Sequence, residues 1–131
     1  MKGSACPRGV LIIDDDAAVR ESLAEALEDA EYSPIATANG QEALEYLQKG
    51  GRPCVILLDL MMPIMDGWQF RAAQLADPTL GPIPVIVLSA VNEIGRVPAG
   101  AVLRKPVRLA TLLEAVRRFC APQKARRKPR R

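Results

Sequence analysis

The sequence predicts an α/β domain built on a parallel sheet with helices on both faces. Three observations carry that prediction. Residues 10–13, 55–58 and 85–88 are unbroken apolar runs with β-branched members, the pattern of strands buried on both faces. The stretches between them repeat apolar residues at helical spacing. Strand and helix alternate along the chain, and right-handed crossovers then leave few topologies. The reading is (βα)5 with one connection reduced.

Taken in order, the first strand ends in Asp14-Asp15-Asp16, and Asp16 is placed to cap the helix that follows. Val19, Leu23, Ala26, Leu27 and Ala30 form the inward stripe of that helix. Residues 32–38 are short and contain Pro34, which predicts an edge strand. A second helix spans 40–48 with Ala43, Leu44 and Leu47 inward, and Lys49-Gly50-Gly51 stops it. The strand at 55–58 runs into Asp59; Pro63 blocks continuation and Asp66-Gly67 opens a helix over 67–76, ending before Asp77-Pro78. Pro82 and Pro84 introduce the strand at 85–88, which ends in Ser89-Ala90. Residues 91–100 hold Gly95, Pro98 and Gly100, so at most a turn or two of helix fits there. A strand at 101–103 leads into Arg104-Lys105-Pro106. The last helix, 107–120, is expected to bury Leu109, Leu112, Leu113, Val116 and Cys120.

Bulk composition sets limits on function. The chain's 131 residues suit one domain, and a 49% hydrophobic fraction suffices for one core. The expected division is a domain over 1–121 and a basic, disordered tail over 122–131, with no second domain and no repeat. The net charge of +3 conceals a split: without the six cations of 124–131 the remainder carries −3. No apolar run approaches the roughly 20 residues of a membrane span. Residues 1–8 lack the apolar stretch of a signal peptide, so the expected location is cytoplasmic, with Cys6, Cys54 and Cys120 reduced. Cys54 and Cys120 read as core filler, and no spacing resembles a zinc site. The chain contains no histidine, which excludes histidine-based acid–base catalysis, histidine metal sites and a phosphohistidine of its own.

Polar residues nevertheless fall at the ends of four strands: Asp14 and Asp15, Asp59, Ser89, and Lys105. In open α/β sheets the carboxyl edge is where ligands bind. Clustered carboxylates repel one another unless a cation or proton joins them. Oxygen donors with water completing an octahedron suit Mg²⁺. Phosphoryl transfer needs such a metal, an in-line nucleophile and donors for the equatorial oxygens. Asp59 can be the nucleophile, Ser89 a hydrogen-bond donor, and Lys105 a counter-charge.

Ile13-Asp14-Asp15, Leu58-Asp59 with Met62-Pro63 and Asp66-Gly67, Leu88-Ser89-Ala90 and Lys105-Pro106 together resemble the receiver domain of bacterial two-component response regulators. Ala38-Asn39-Gly40 with Glu42-Ala43-Leu44 is similar to that family as well, and the resemblance covers residues 10–119. It implies a flavodoxin-like three-layer fold with strand order 2-1-3-4-5 and the acids at its switch point. It implies phosphorylation of Asp59 by a histidine kinase or a histidine phosphotransfer protein, and signalling through phosphorylation-dependent contacts with a downstream protein. It implies that Asp15 and Asp59 contact Mg²⁺ directly, Asp14 through water and Met61 through its backbone carbonyl. It also implies a cis Lys105–Pro106 bond. Two departures stand out. Val102 occupies the place where the family usually has Tyr or Phe, and the 89–105 connection leaves the usual fourth helix shortened or missing.

Two rivals compete with the signalling reading. Asp14 and Asp16 make the D-x-D of a haloacid-dehalogenase-like phosphatase, but no acidic pair follows Lys105 and Asp59 would be unexplained. A non-phosphorylated scaffold on the same fold is favoured by Val102 and the short connection, and opposed by the complete set of acids, Ser89 and Lys105. The basic tail could bind nucleic acid, yet no DNA-binding fold accompanies it, so docking or solubility is the preferred role. The expectation is a stand-alone, non-enzymatic regulator, monomeric or weakly dimeric, with no membrane partner.

Overall fold

The computed structural model describes residues 8–60, 65–89 and 99–120. Five parallel strands form one sheet in the order β2-β1-β3-β4-β5: β1 (Gly9–Ile13), β2 (Ser33–Thr37), β3 (Val55–Asp59), β4 (Val85–Ser89) and β5 (Ala101–Arg104). The helices are α1 (Ala17–Asp29), α2 (Gly40–Gln48), α3 (Gly67–Ala76) and α4 (Leu109–Phe119). This is the expected three-layer, doubly wound arrangement. Among the described residues no helix stands between β4 and β5; 90–98, where the sequence leaves room for at most a turn or two of helix, lie outside them.

The central strands follow from their composition. β1, β3 and β4 are buried at every position, as continuous apolar runs require. Their side chains alternate between two cores. Leu11, Ile13, Ile56, Leu58, Val85 and Val87 meet Ala43 and Leu47 of α2 and Phe70 of α3. Val10, Ile12, Val55, Leu57, Ile86 and Leu88 meet Leu23 and Leu27 of α1 and Leu112, Ala115 and Val116 of α4. Each fully buried Leu, Ile or Val contributes about 1.5–3 kcal/mol relative to exposure, so the sheet is fixed from both sides. The edge strands β2 and β5 are only partly buried, and Pro34 lies on β2 as its missing N–H demands.

The caps agree with the sequence. Asp16 accepts from the N–H groups of Ala18 and Val19, and Asn39 accepts from that of Glu42. Asp66 and Gln69 close a capping box at the start of α3. After α2, Gly50 takes φ 107°, a left-handed conformation that ends the helix.

Three expectations need correction. The last helix begins at Leu109 rather than 107, because the chain stays extended through Arg108. Leu109 is 42% exposed instead of buried; as the first residue of α4 it lines a cleft of about 220 Å³ with Val19, Leu23, Leu88 and Pro106. Cys54 and Cys120, expected as separate thiols, are joined in a disulfide whose Cα atoms lie 5.4 Å apart. Cys6 and the tail at 122–131 lie outside the described residues.

Candidate functional site

Register brings the acids together. Ile13 pairs with Leu58, so the next residues, Asp14 and Asp59, leave neighbouring strands side by side. Asp59 pairs with Leu88, which puts Ser89 one step further along the adjacent strand, opposite Arg104. Lys105 follows Arg104 at the end of β5. Asp14, Asp59 and Ser89 are buried, whereas Asp15 is exposed at the mouth.

One carboxylate oxygen from each of Asp14, Asp15 and Asp59 can lie within 4.8 Å of the others, a group able to hold a divalent cation. Two carboxylates at low exposure need a counter-charge, and Lys105 supplies it. Its Nζ lies 3.0 Å from Asp14 Oδ2 and 3.5 Å from Asp59 Oδ2. Burial works to lower the lysine's pKa, but the hydrogen bond to Asp14 and the charges of Asp59 and Asp14 outweigh it, leaving the pKa above the ordinary lysine value. The ammonium therefore stays charged across the neutral range. The Lys105–Pro106 bond is cis, as expected from the resemblance. The Lys105 N–H also donates to the Ser89 carbonyl at 3.0 Å, which ties the lysine's backbone to β4.

Supporting groups were not visible in the sequence reading. Arg20 donates from Nη1 to the Asp14 carbonyl at 2.8 Å. Thr37 donates its hydroxyl to the Ile12 carbonyl at 2.8 Å, while its own carbonyl accepts from the Asp14 N–H at 3.2 Å. The N–H of Asp16 donates to Asp14 Oδ1 at 2.9 Å. A signal for Arg20 did exist. A cation in the first turn of a helix opposes the helix dipole, so something negative or a carbonyl must hold it there.

Gly67 also shapes the site. A Cβ on it would lie 2.6 Å from Leu60 Cα and 2.8 Å from the Asp59 carbonyl oxygen. Its N–H donates to the Leu60 carbonyl at 2.9 Å. The start of α3 thus rests on the backbone that carries Asp59. Met61, expected to offer a carbonyl to the metal, lies outside the described residues.

Fold and site define a doubly wound signalling domain with an acidic pocket at its switch point. The family model described as the response regulator receiver domain matches residues 10–117, and the chain belongs to that family. It is a family of two-component signalling domains rather than of enzymes, and histidine kinases and phosphotransfer proteins are its typical partners. The chain is 34% identical over 126 residues to the response regulator Rre1 of Synechocystis sp., covering 91% of this chain and 54% of that protein. It is 37% identical over 117 residues to the response regulator MprA of Mycolicibacterium vanbaalenii, covering 85% of this chain and 49% of that protein. The chain thus spans about half the length of these relatives. Among solved structures, the chemotaxis protein CheY4 of Vibrio cholerae superposes with a TM-score of 0.77 at 32% identity, over 85% of this chain and 97% of that one. The Mn²⁺-bound response regulator Rcp1 superposes with a TM-score of 0.72 at 28% identity, over 86% of this chain and 94% of that one.

Among the described residues no helix is long and apolar enough to cross a membrane.

Proposed function

We propose that this domain accepts a phosphoryl group on Asp59 from a phosphohistidine of a partner kinase or phosphotransfer protein. The observation that supports this most directly is Lys105 bridging Asp14 and Asp59 at the carboxyl edge of the sheet. An Asp59 carboxylate oxygen attacks phosphorus in line, the P–N bond to the partner's imidazole breaks, and an acyl phosphate forms. The donor histidine must lie outside these 131 residues, which contain none. Lys105 then neutralises one phosphoryl oxygen, and the Ser89 hydroxyl donates to another.

The donor set fits Mg²⁺, a hard cation that prefers oxygen and keeps several waters. Asp15 and Asp59 would hold it directly, Asp14 through water, and Met61 through its carbonyl. When bound, the ion adds positive charge beside the equatorial oxygens. The protein is read as cytoplasmic, with 1–121 as the receiver and 122–131 as a tail for docking or solubility.

Output is the atypical part. Val102, where relatives usually carry an aromatic ring, is 38% exposed on the edge strand and is β-branched, so it has no ring to swing and a restricted χ1. We therefore place the phosphorylation response in 90–100 rather than in a ring rotation, with partners docking there or elsewhere. Val102 also favours the second reading, an interaction scaffold that is never phosphorylated.

Intact-mass measurement after acetyl phosphate treatment separates the two. One Mg²⁺-dependent phosphoryl adduct is expected, absent in Asp59→Asn and reduced in Asp15→Asn. Lys105→Ala should still be modified but respond weakly. An adduct that survives Asp59→Asn would overturn the assignment, and its appearance on Asp14 would favour the phosphatase.

A further inference from the structure

We propose that Cys54 and Cys120 form a reversible redox pair that staples the end of α4 to the amino edge of the sheet. Cys54 immediately precedes β3, and Cys120 caps the C-terminus of α4. They are 66 residues apart in sequence and disulfide-bonded in the fold, with Cα atoms 5.4 Å apart. That separation needs no backbone shift to open or close the bond.

The reduced state is provided for as well. The Cys54 sulfur lies 3.1 Å from the Gly9 carbonyl oxygen, an acceptor ready for the thiol proton once the bond opens. The Cys54 N–H donates to the same oxygen at 2.8 Å, so the position of the residue does not depend on the disulfide. Cys120 likewise keeps its N–H on the Val116 carbonyl at 2.9 Å. Reduction thus leaves the Cys54 thiol with an acceptor and both backbones held in place, which is what a reversible pair requires and a permanent staple does not.

Exposure sets the order of events. Cys54 is half-buried, whereas Cys120 is 3% exposed. The Cys54 thiolate attacks a small-molecule disulfide, forming a mixed disulfide and releasing one small thiolate. The Cys120 thiolate then attacks the Cys54 sulfur, closing the protein bond and releasing the second. Two protein protons leave, and the small disulfide is reduced to two thiols.

The staple acts on the helix whose lead-in holds Lys105. Only Pro106, Val107 and Arg108 separate that lysine from α4. Closing the bond fixes the far end of α4 against β3, and opening it leaves α4 held by noncovalent packing, with Leu112, Ala115 and Val116 buried and Leu113 and Phe119 beside them. The proposal rests on the cytoplasmic placement given above, because in a reducing compartment a disulfide is a switch, whereas in an oxidising one it is a fixture.

The test uses the full chain carrying Cys6→Ser, so that two thiols are counted. It is equilibrated in buffers of graded reduced-to-oxidised glutathione ratio, quenched by alkylation and weighed. The bond is expected to open within that range while the protein stays folded. The reduced form should melt about 10 °C lower, with faster amide exchange at 116–120. Cys54→Ser should melt like the reduced form under all ratios. A bond that stays closed in the most reducing buffer, one that never closes, or equal melting of both forms would each overturn the proposal. The phosphoryl adduct on Asp59 is measured separately, so failure of the phosphoacceptor reading leaves this result interpretable.

Discussion

Asp14 has all its polar groups engaged before any ligand arrives. Its N–H donates to Thr37, its carbonyl accepts from Arg20, Oδ1 accepts from the Asp16 N–H, and Oδ2 accepts from Lys105. A buried carboxylate with one unpaired side would cost several kcal/mol, so the acid pocket depends on this frame. The carboxylates and Lys105 were legible in the sequence because each ends an apolar run. Thr37 was not, because its partner is a backbone carbonyl, which carries no sequence signature, and Arg20 left only the indirect sign of a cation near a helix start. Arg20→Ala removes one charge-assisted hydrogen bond at a part-buried turn and should destabilise by about 1–2 kcal/mol. It should also weaken divalent-cation binding through the loosened Asp14–Asp15 turn. Urea unfolding and cation titration check both effects, and an unchanged cation affinity would show that Arg20 serves stability alone.

At the scale of elements, α3 illustrates what joins a helix to the next strand. Gln74 is completely buried and donates from Nε2 to the carbonyls of Leu80 and Ile83, at 2.8 and 3.0 Å. Its Oε1 accepts from Arg71 at 2.7 Å. One amide thus replaces the water that the turn between α3 and β4 would otherwise need. The helix itself was readable from Asp66-Gly67 and Asp77-Pro78, but a glutamine on the inward face gave no sign of this role, since glutamine is usually exposed. Gln74→Ala takes the amide partner from the Ile83 carbonyl and from Arg71, and leaves the Leu80 carbonyl with the Ile83 N–H, so a loss of about 1–3 kcal/mol is expected in chemical denaturation. Gln74→Glu should fare no better, because a carboxylate cannot donate to the two carbonyls. At the other end of α3, Gly67→Ala drives a Cβ into the Asp59 and Leu60 backbone. It should cost about 1–3 kcal/mol as an overpacking change and slow acetyl phosphate labelling by displacing Asp59. Labelling at the normal rate would show that the loop absorbs the intrusion. Boundaries were harder to read than elements: α4 starts two residues late because no side chain caps Arg108.

For the whole molecule, two half-cores share one sheet, and the alternation along β1, β3 and β4 assigns each side chain to one of them. That architecture was legible from the strand–helix alternation, whereas the strand order came with the family resemblance. The disulfide was not legible, since 66 intervening residues give no spacing signal and the absence of an export signal argued for free thiols. The sheet leaves two edges, and they differ. β2 carries Pro34, which blunts pairing. β5 is four residues long, with Val102 and Arg104 exposed, and Arg108 lies exposed just before α4. A twofold dimer through this face would bring the Arg104 and Arg108 side chains of both copies together around one small apolar residue. Like charges at such a contact oppose association, and Val102, the exposed apolar side chain that β5 offers among the described residues, buries by itself far less than the roughly 1,200 Å² of a stable interface. Light scattering after gel filtration should therefore show a monomer both without ligand and with Mg²⁺ and beryllofluoride. A ligand-induced dimer that Val102→Lys abolishes would overturn this and make the β5 face the output surface. A dimer that Val102→Lys leaves intact would also overturn the monomer expectation, but would locate the interface away from β5.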